Sequence, residues 1–316
     1  MCFVVAGHWG IGRGAFPGTA PNISFLIYIF HMPLFIMLAG RFVRRKAAFG
    51  LTFRKGWGQL ILPFAIFYLV DLFVMGWVKG PPFVAFGQLP SGLWFLVSLF
   101  FWRLMVVPLG RWRSVDRLAL PLAILGLLLS GLLPNWWSLV RTFAFFPAFL
   151  FGMLVLPLIE PHLRRLPVRL ASAALLVGTV VVVWPRAHRY NYLWLHQSRS
   201  YEELGRDFVS GAGLRLLVAV VGVVVALAVV SLVPSRRFGS VSNLGRFTLY
   251  AYLLHLPVTA IILYWLLPRV DYQTAVSVGV SLAIVPFVLI VMTRPVRRLT
   301  QPFVEPIEFA RSVPEP

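Results

Sequence analysis

Three histidines, His8, His31 and His255, lie in or beside apolar runs of the length that crosses a bilayer. Ionisable groups are rare inside membrane spans because taking them out of water is costly, so each marks a candidate site. The competing reading of each is a neutral ring bonded to a carbonyl or serine of a neighbouring helix. Imidazole suits proton transfer: an unperturbed pKa near 6.5 leaves it mostly neutral at about pH 7 and able to accept a proton. His31 opens the stretch "HMPLF" and lies ~12 Å below the outer end of a span that enters from outside, at the usual helical rise. His8 sits near the outer end of the preceding apolar piece, so the two rings are expected to face each other across a cavity open to the outside. His255 is expected nearer the cytoplasm. No carboxylate or cysteine accompanies these histidines at ligand spacing, so no metal is expected. Asp71 and Arg103 are the other intramembrane charges, at depths of ~18 and ~15 Å from the inner face, and an ion pair between consecutive spans is expected.

The elements that must hold these groups are legible from composition. The chain has 316 residues, 59% hydrophobic and 12% charged, about half the charged fraction of a soluble domain. Apolar spans fall near 23–40, 59–78, 93–110, 118–133, 143–159, 168–185, 214–233, 247–267 and 275–293. They are expected to be helices, because a lipid-exposed open sheet would leave backbone groups unpaired. The fold class is an all-α polytopic membrane protein with about nine full spans. "MCFVVAGH" is read as the outer half of a first helix whose beginning is missing, which makes ten in the complete protein. Residues 1–293 form one transmembrane domain and 294–316 a short tail.

Charge orients these spans. Nineteen of the 29 Lys and Arg residues fall in the loops near 41–58, 111–117, 160–169 and 234–246 and in the tail; eight fall on the other side. The richer side is cytoplasmic by the positive-inside rule, and so is the C-terminus. The net charge of +19 is therefore topological and does not argue for nucleic acid. Cys2 is the single cysteine, which excludes an internal disulfide, a Cys-based zinc site and a CxxC redox motif. "GIGRGAFPG" misses the spacing of a dinucleotide-binding loop, and no strand precedes it.

Five segments then resemble one family. "FHMPLFIMLAGRF" is similar to the H-M-P-L-F-F-x-x-S-G-Y-F signature of the membrane acyltransferase 3 family, particularly its fucose 4-O-acetylase-like branch. "LWFLVSLFFW", "FFPAFLFGMLV" and "LGRFTLYAYLLHLPV" resemble its L-W-F-L, F-P-F-F-L-x-G-Y and L-G-x-x-S-L-x-I-Y-L-L-H segments, and "VVAGHW" resembles the end of its first helix. The segments occur in the family's order from residue 4 to about 257. Ala39 and Arg41 replace the usual Ser and Tyr, and the basic residue the family often carries eleven positions before the first-helix histidine would precede Met1.

The resemblance implies transfer of an acyl group, usually acetyl, from cytoplasmic acyl-CoA to a carbohydrate hydroxyl, in a bacterial plasma membrane as part of the cell envelope. It assigns the first-helix histidine to His8 and the H-M-P histidine to His31. An alcohol needs a base to become a nucleophile, so His8 is expected to take its proton, with His31 orienting it or receiving the proton. Trp94, Arg141, Tyr252 and His255 are candidate substrate contacts, and Arg41 and Arg45 are candidate cations for the phosphates of acetyl-CoA or another acyl-CoA. The outer loop 186–213, with Tyr190, Tyr192, Trp194, Tyr201, Glu202, Glu203 and Asp207, is read as a sugar-binding surface or as an interfacial aromatic belt. The alternatives to the enzyme are a transporter or flippase for a lipid-linked sugar and an inactive structural member of the family.

Overall fold

The computed structural model describes residues 1–9, 20–43, 47–80, 89, 92–111, 113–234, 243–266 and 274–312. Among them there is no strand. The helices are α1 (Cys2–His8), α2 (Ala20–Arg41), α3 (Phe49–Val78), α4 (Trp94–Met105), α5 (Arg113–Leu129), α6 (Leu139–Leu154), α7 (Leu156–Leu163), α8 (Leu166–Val183), α9 (Phe208–Leu232), α10 (Thr248–Ile261), α11 (Thr274–Val291), α12 (Arg294–Val304) and α13 (Pro306–Ser312). Seven helices among the described residues are long and apolar enough to cross a membrane, or eight if the pair Gly279–Val291 and Arg294–Val304, bent by 77°, is one span. The expected span near 93–110 is a helix of only 12 residues that ends in turns from Val106 onward. Within Leu166–Arg189 only 6% of the apolar window is buried, an exposed apolar face that belongs in lipid.

The chain divides into two compact units. The first comprises Met1–Ala20, Phe53–Phe100 and Ser235–Pro316, the second Pro21–Thr52 and Phe101–Pro234. In the first unit α10 packs on α3, and α1 packs on α10 and α11. The segment expected as a tail is helical: Arg297 lies over the Phe247 ring at 3.3 Å, and the Tyr250 hydroxyl donates to Glu305 at 2.7 Å.

In the second unit α5 packs along α6, and α9 along α8. α2 meets α6 through two glycines. A Cβ on Gly40 would lie 2.0 Å from the Phe149 carbonyl oxygen, and one on Gly152 would lie 1.9 Å from that of Met37. The backbones therefore touch, the usual device of membrane helices, which lack a hydrophobic drive to associate and rely on close contact of small residues. These are the glycines of "MLAGRF" and "FLFGML". Pro33, Pro121, Pro147, Pro257 and Pro286 all lie inside helices. Membrane helices tolerate this because neighbouring helices and local adjustment satisfy the freed carbonyls.

Candidate active site

In the first unit, α1 ends at His8 and α10 carries His255. Their ring centroids are 5.2 Å apart and the planes are tilted by 59°. His255 is fully buried, and its Nδ1 lies 2.6 Å from the Tyr252 carbonyl and 3.2 Å from that of Ala251. A carbonyl can only accept, so Nδ1 carries the proton and Nε2 of the neutral ring holds the lone pair. That Nε2 is buried with no hydrogen-bond partner among the described residues. One turn earlier, the Tyr252 hydroxyl donates to the Gly92 carbonyl, and the Tyr252 ring meets Phe95 edge-on at 5.7 Å. Trp94, also buried, stands T-shaped to Phe95. The structure thus gathers Tyr252 and His255 with His8, and places Trp94 next along the same aromatic row. Asp71 is buried in this unit as well.

In the second unit, His31 is 3% exposed and its Nδ1 lies 2.9 Å from the Ile27 carbonyl, one helical turn back. The same reasoning puts the proton on Nδ1 and the basic lone pair on Nε2. The Tyr28 ring stands T-shaped to His31 at 4.7 Å and also meets His196 at 4.5 Å. Arg141 donates from Nε to the His196 carbonyl at 3.2 Å. His31, Tyr28, His196 and Arg141 are therefore joined by successive contacts. Tyr28 lies three residues before His31 on one helical face, the sequence signal for this contact, whereas His196 carries none. Arg103 also lies in this unit.

Ten residues beyond His31, ~15 Å along α2, Arg41 donates to Glu160 at 3.3 Å, and Arg164 lies 4.0 Å from the other carboxylate oxygen. Arg45 lies outside the described residues.

The outer loop divides into two roles. Tyr201 and Trp194 are buried, so these rings are packing groups and do not present their faces to a sugar in this structure. Tyr201 lies against Gly131 and Gly211, where any Cβ would meet its ring at 2.3 and 2.5 Å, and its hydroxyl donates to Leu128 at 2.7 Å. The Arg215 guanidinium, 1% exposed, lies 4.7 Å from the Tyr201 ring and donates to Ser130 Oγ and the Arg199 carbonyl. Burial raises the Tyr201 phenol above its ordinary pKa, with the Arg215 charge pulling it back. Glu203 works against the upward push of burial: the Ser200 amide and Arg199 hold its carboxyl below the usual range. Asp207 caps α9 by accepting from the Ser210 amide and hydroxyl, which lowers its pKa. Tyr190 and Tyr192 are the exposed rings of the loop, at 47% and 53%.

Long apolar helices with exposed apolar faces define an integral membrane protein. It belongs to the acyltransferase 3 family, whose model, described as an acyltransferase domain, matches residues 1–293. No curated protein matches the chain, and no solved structure does. The chain is thus a membrane acyltransferase by family, and an acyl donor and an acceptor are its partners.

Proposed function

We propose that this protein moves an acetyl group from acetyl-CoA to a carbohydrate hydroxyl, as in the fucose 4-O-acetylase-like branch, in a bacterial plasma membrane with its C-terminus in the cytoplasm. Residues 1–293 form the acyltransferase domain and 294–316 its cytoplasmic tail segment. His8 accepts the proton of the hydroxyl as that oxygen attacks the thioester carbonyl. The C–S bond then breaks, CoA leaves as the thiol after taking a proton, and an ester remains on the sugar. His31 orients the acceptor or takes the proton onward. His255 borders His8, Tyr252 and Trp94 follow along the same aromatic row, and the three contact the substrate, while Arg141 supplies N–H groups beside His196. The CoA phosphates fall to the basic loop 41–46, with Arg41 and Arg45 as the candidates. Two of Arg41's N–H groups are engaged by Glu160, so the larger share falls to the rest of that loop.

The observation that carries this reading is the His8 ring standing 5.2 Å from that of buried His255, whose tautomer its own helix fixes. His31 and His255 each have Nδ1 against main-chain carbonyls of their own helix, which leaves Nε2 as the proton-accepting atom in a membrane span. Such a ring needs no further group to set its tautomer. The experiment is label transfer from acetyl-CoA to candidate glycans by the purified full chain. Transfer that disappears in His8→Ala and His31→Ala, both still inserted, supports the reading. Sugar translocation without label transfer would turn it to the transporter alternative.

A further inference from the structure

The basic end of the second unit contains a cavity of about 250 Å³ between the ends of α2, α7 and α9. Its wall is apolar, from Leu34 and Leu38 on α2, Leu156 on α7 and Val229 on α9, and its rim carries Arg41, Glu160 and Arg164. Leu34 lies seven residues before Arg41, so the apolar wall runs ~10 Å from the charged rim into the span. All three rim residues are part-exposed, at 34–39%. Arg164 also donates to the Val233 carbonyl at 2.5 Å, which ties the rim to the end of α9. The three rim residues come from two stretches, 41–58 and 160–169, that the charge distribution places at the cytoplasmic face.

We infer that this cavity is a binding site for an anionic phospholipid of the cytoplasmic leaflet, with one acyl chain along Leu34, Leu38, Leu156 and Val229 and the phosphodiester at Arg164 and Arg41. The shape fits an amphiphile: an apolar slot opening at a basic rim is the form in which spaces between membrane helices hold lipid head groups. Charge selects among amphiphiles. Two guanidiniums against one carboxylate leave a single positive charge, which matches the single negative charge of a phosphodiester. It does not match the several negative charges of a nucleotide thioester. Glu160 spaces the two guanidiniums and leaves each with N–H groups for the phosphate, since Arg41 commits Nε and Nη2 to it and Arg164 reaches it with Nη2 alone. The lining begins at Leu34, three residues beyond His31 on the same helix, and Arg41 is also a candidate for the acyl donor, so competition with acetyl-CoA separates the two occupants.

The test uses the purified full chain in nanodiscs of phosphatidylcholine containing a small fraction of labelled phosphatidylglycerol, with retained label read after washing or by native mass spectrometry. Phosphatidylglycerol is expected to be retained over phosphatidylcholine, and Arg164→Gln is expected to weaken its retention roughly fivefold. Leu38→Trp, which fills the slot and keeps the charges, is expected to lose retention as well and so separates the cavity from a general surface attraction. Equal retention of both lipids, or unchanged retention in the Leu38→Trp protein, overturns the inference. Competition arms identify the source of the anion. Displacement by acetyl-CoA would assign the cavity to the acyl donor and displacement by inorganic phosphate to a free anion, and either result also overturns it.

Discussion

Replacing Gly152 by alanine tests how closely the scaffold holds the second-unit histidine. A Cβ there would lie 1.9 Å from the Met37 carbonyl oxygen and 2.6 Å from its carbon, whereas real Cβ atoms keep 3.0 Å or more from such neighbours. The obstacle is main chain, so no side chain can swing aside, and α2 and α6 must separate by about 1 Å. Overpacking of this kind costs roughly 1–3 kcal/mol. Met37 lies six residues beyond His31 on the same helix, so the displacement is carried to the imidazole. A misplacement of ~1 Å at a reacting group lowers turnover by about 100-fold. Gly152→Ala should therefore insert, unfold at lower temperature and transfer acetyl about 100-fold more slowly. Gly178→Ala is the control, because nothing lies within 4 Å of its Cβ and alanine favours a helix interior. The assay is label transfer from acetyl-CoA alongside thermal unfolding in detergent. Gly152→Ala with the stability and rate of the parent would refute the backbone contact.

Arg215→Ala leaves Ser130 Oγ and the Arg199 carbonyl without their buried donor, a loss of roughly 1–3 kcal/mol, while Arg215→Lys keeps the charge but lacks the planar two-nitrogen fork that reaches both acceptors; faster hydrogen exchange across 199–207 checks it. Asp207 and Glu203 have lowered pKa values, so the stability they contribute is present above the unfolded carboxylate pKa and is lost as pH falls through the lower folded value. Exchange at the first amides of α9 should rise on acidification into that range, and Asp207→Ala should flatten the response.

Most of the helical framework was legible because bilayer-length apolar runs announce themselves. Two places were not. The run near 93–110 contains Pro108 and the positive-φ Gly110, and the structure ends its helix at Met105. At 292–295, Thr293 is extended and Pro295 opens a new helix, so the apolar run turns by 77°, a geometry that hydropathy does not encode. Within the candidate site, His255 stands out in the sequence as an ionisable residue in a span and Tyr252 as a candidate substrate contact; the structure adds the closeness of His255 to His8 and of Tyr252 to His255. Nothing local in the sequence signals the Tyr28 ring against His196. Tyr201 was read as a surface aromatic. The two glycines that bury it, Gly131 and Gly211, lie far from each other along the chain, and only packing brings them together. Gly40 and Gly152 were part of recognisable segments, but a glycine's partner across a helix crossing is invisible until the helices are assembled.

At the centre stands the proposal that His8, with His31, takes the proton of a sugar hydroxyl. Its most direct measurement is transfer of labelled acetyl to glycan by the purified full chain, compared among the parent, His8→Ala and His31→Ala proteins across pH. The rate is expected to fall as the reacting imidazole becomes protonated at lower pH, and to be almost lost in both variants with insertion intact. Undiminished label transfer by either variant would contradict it.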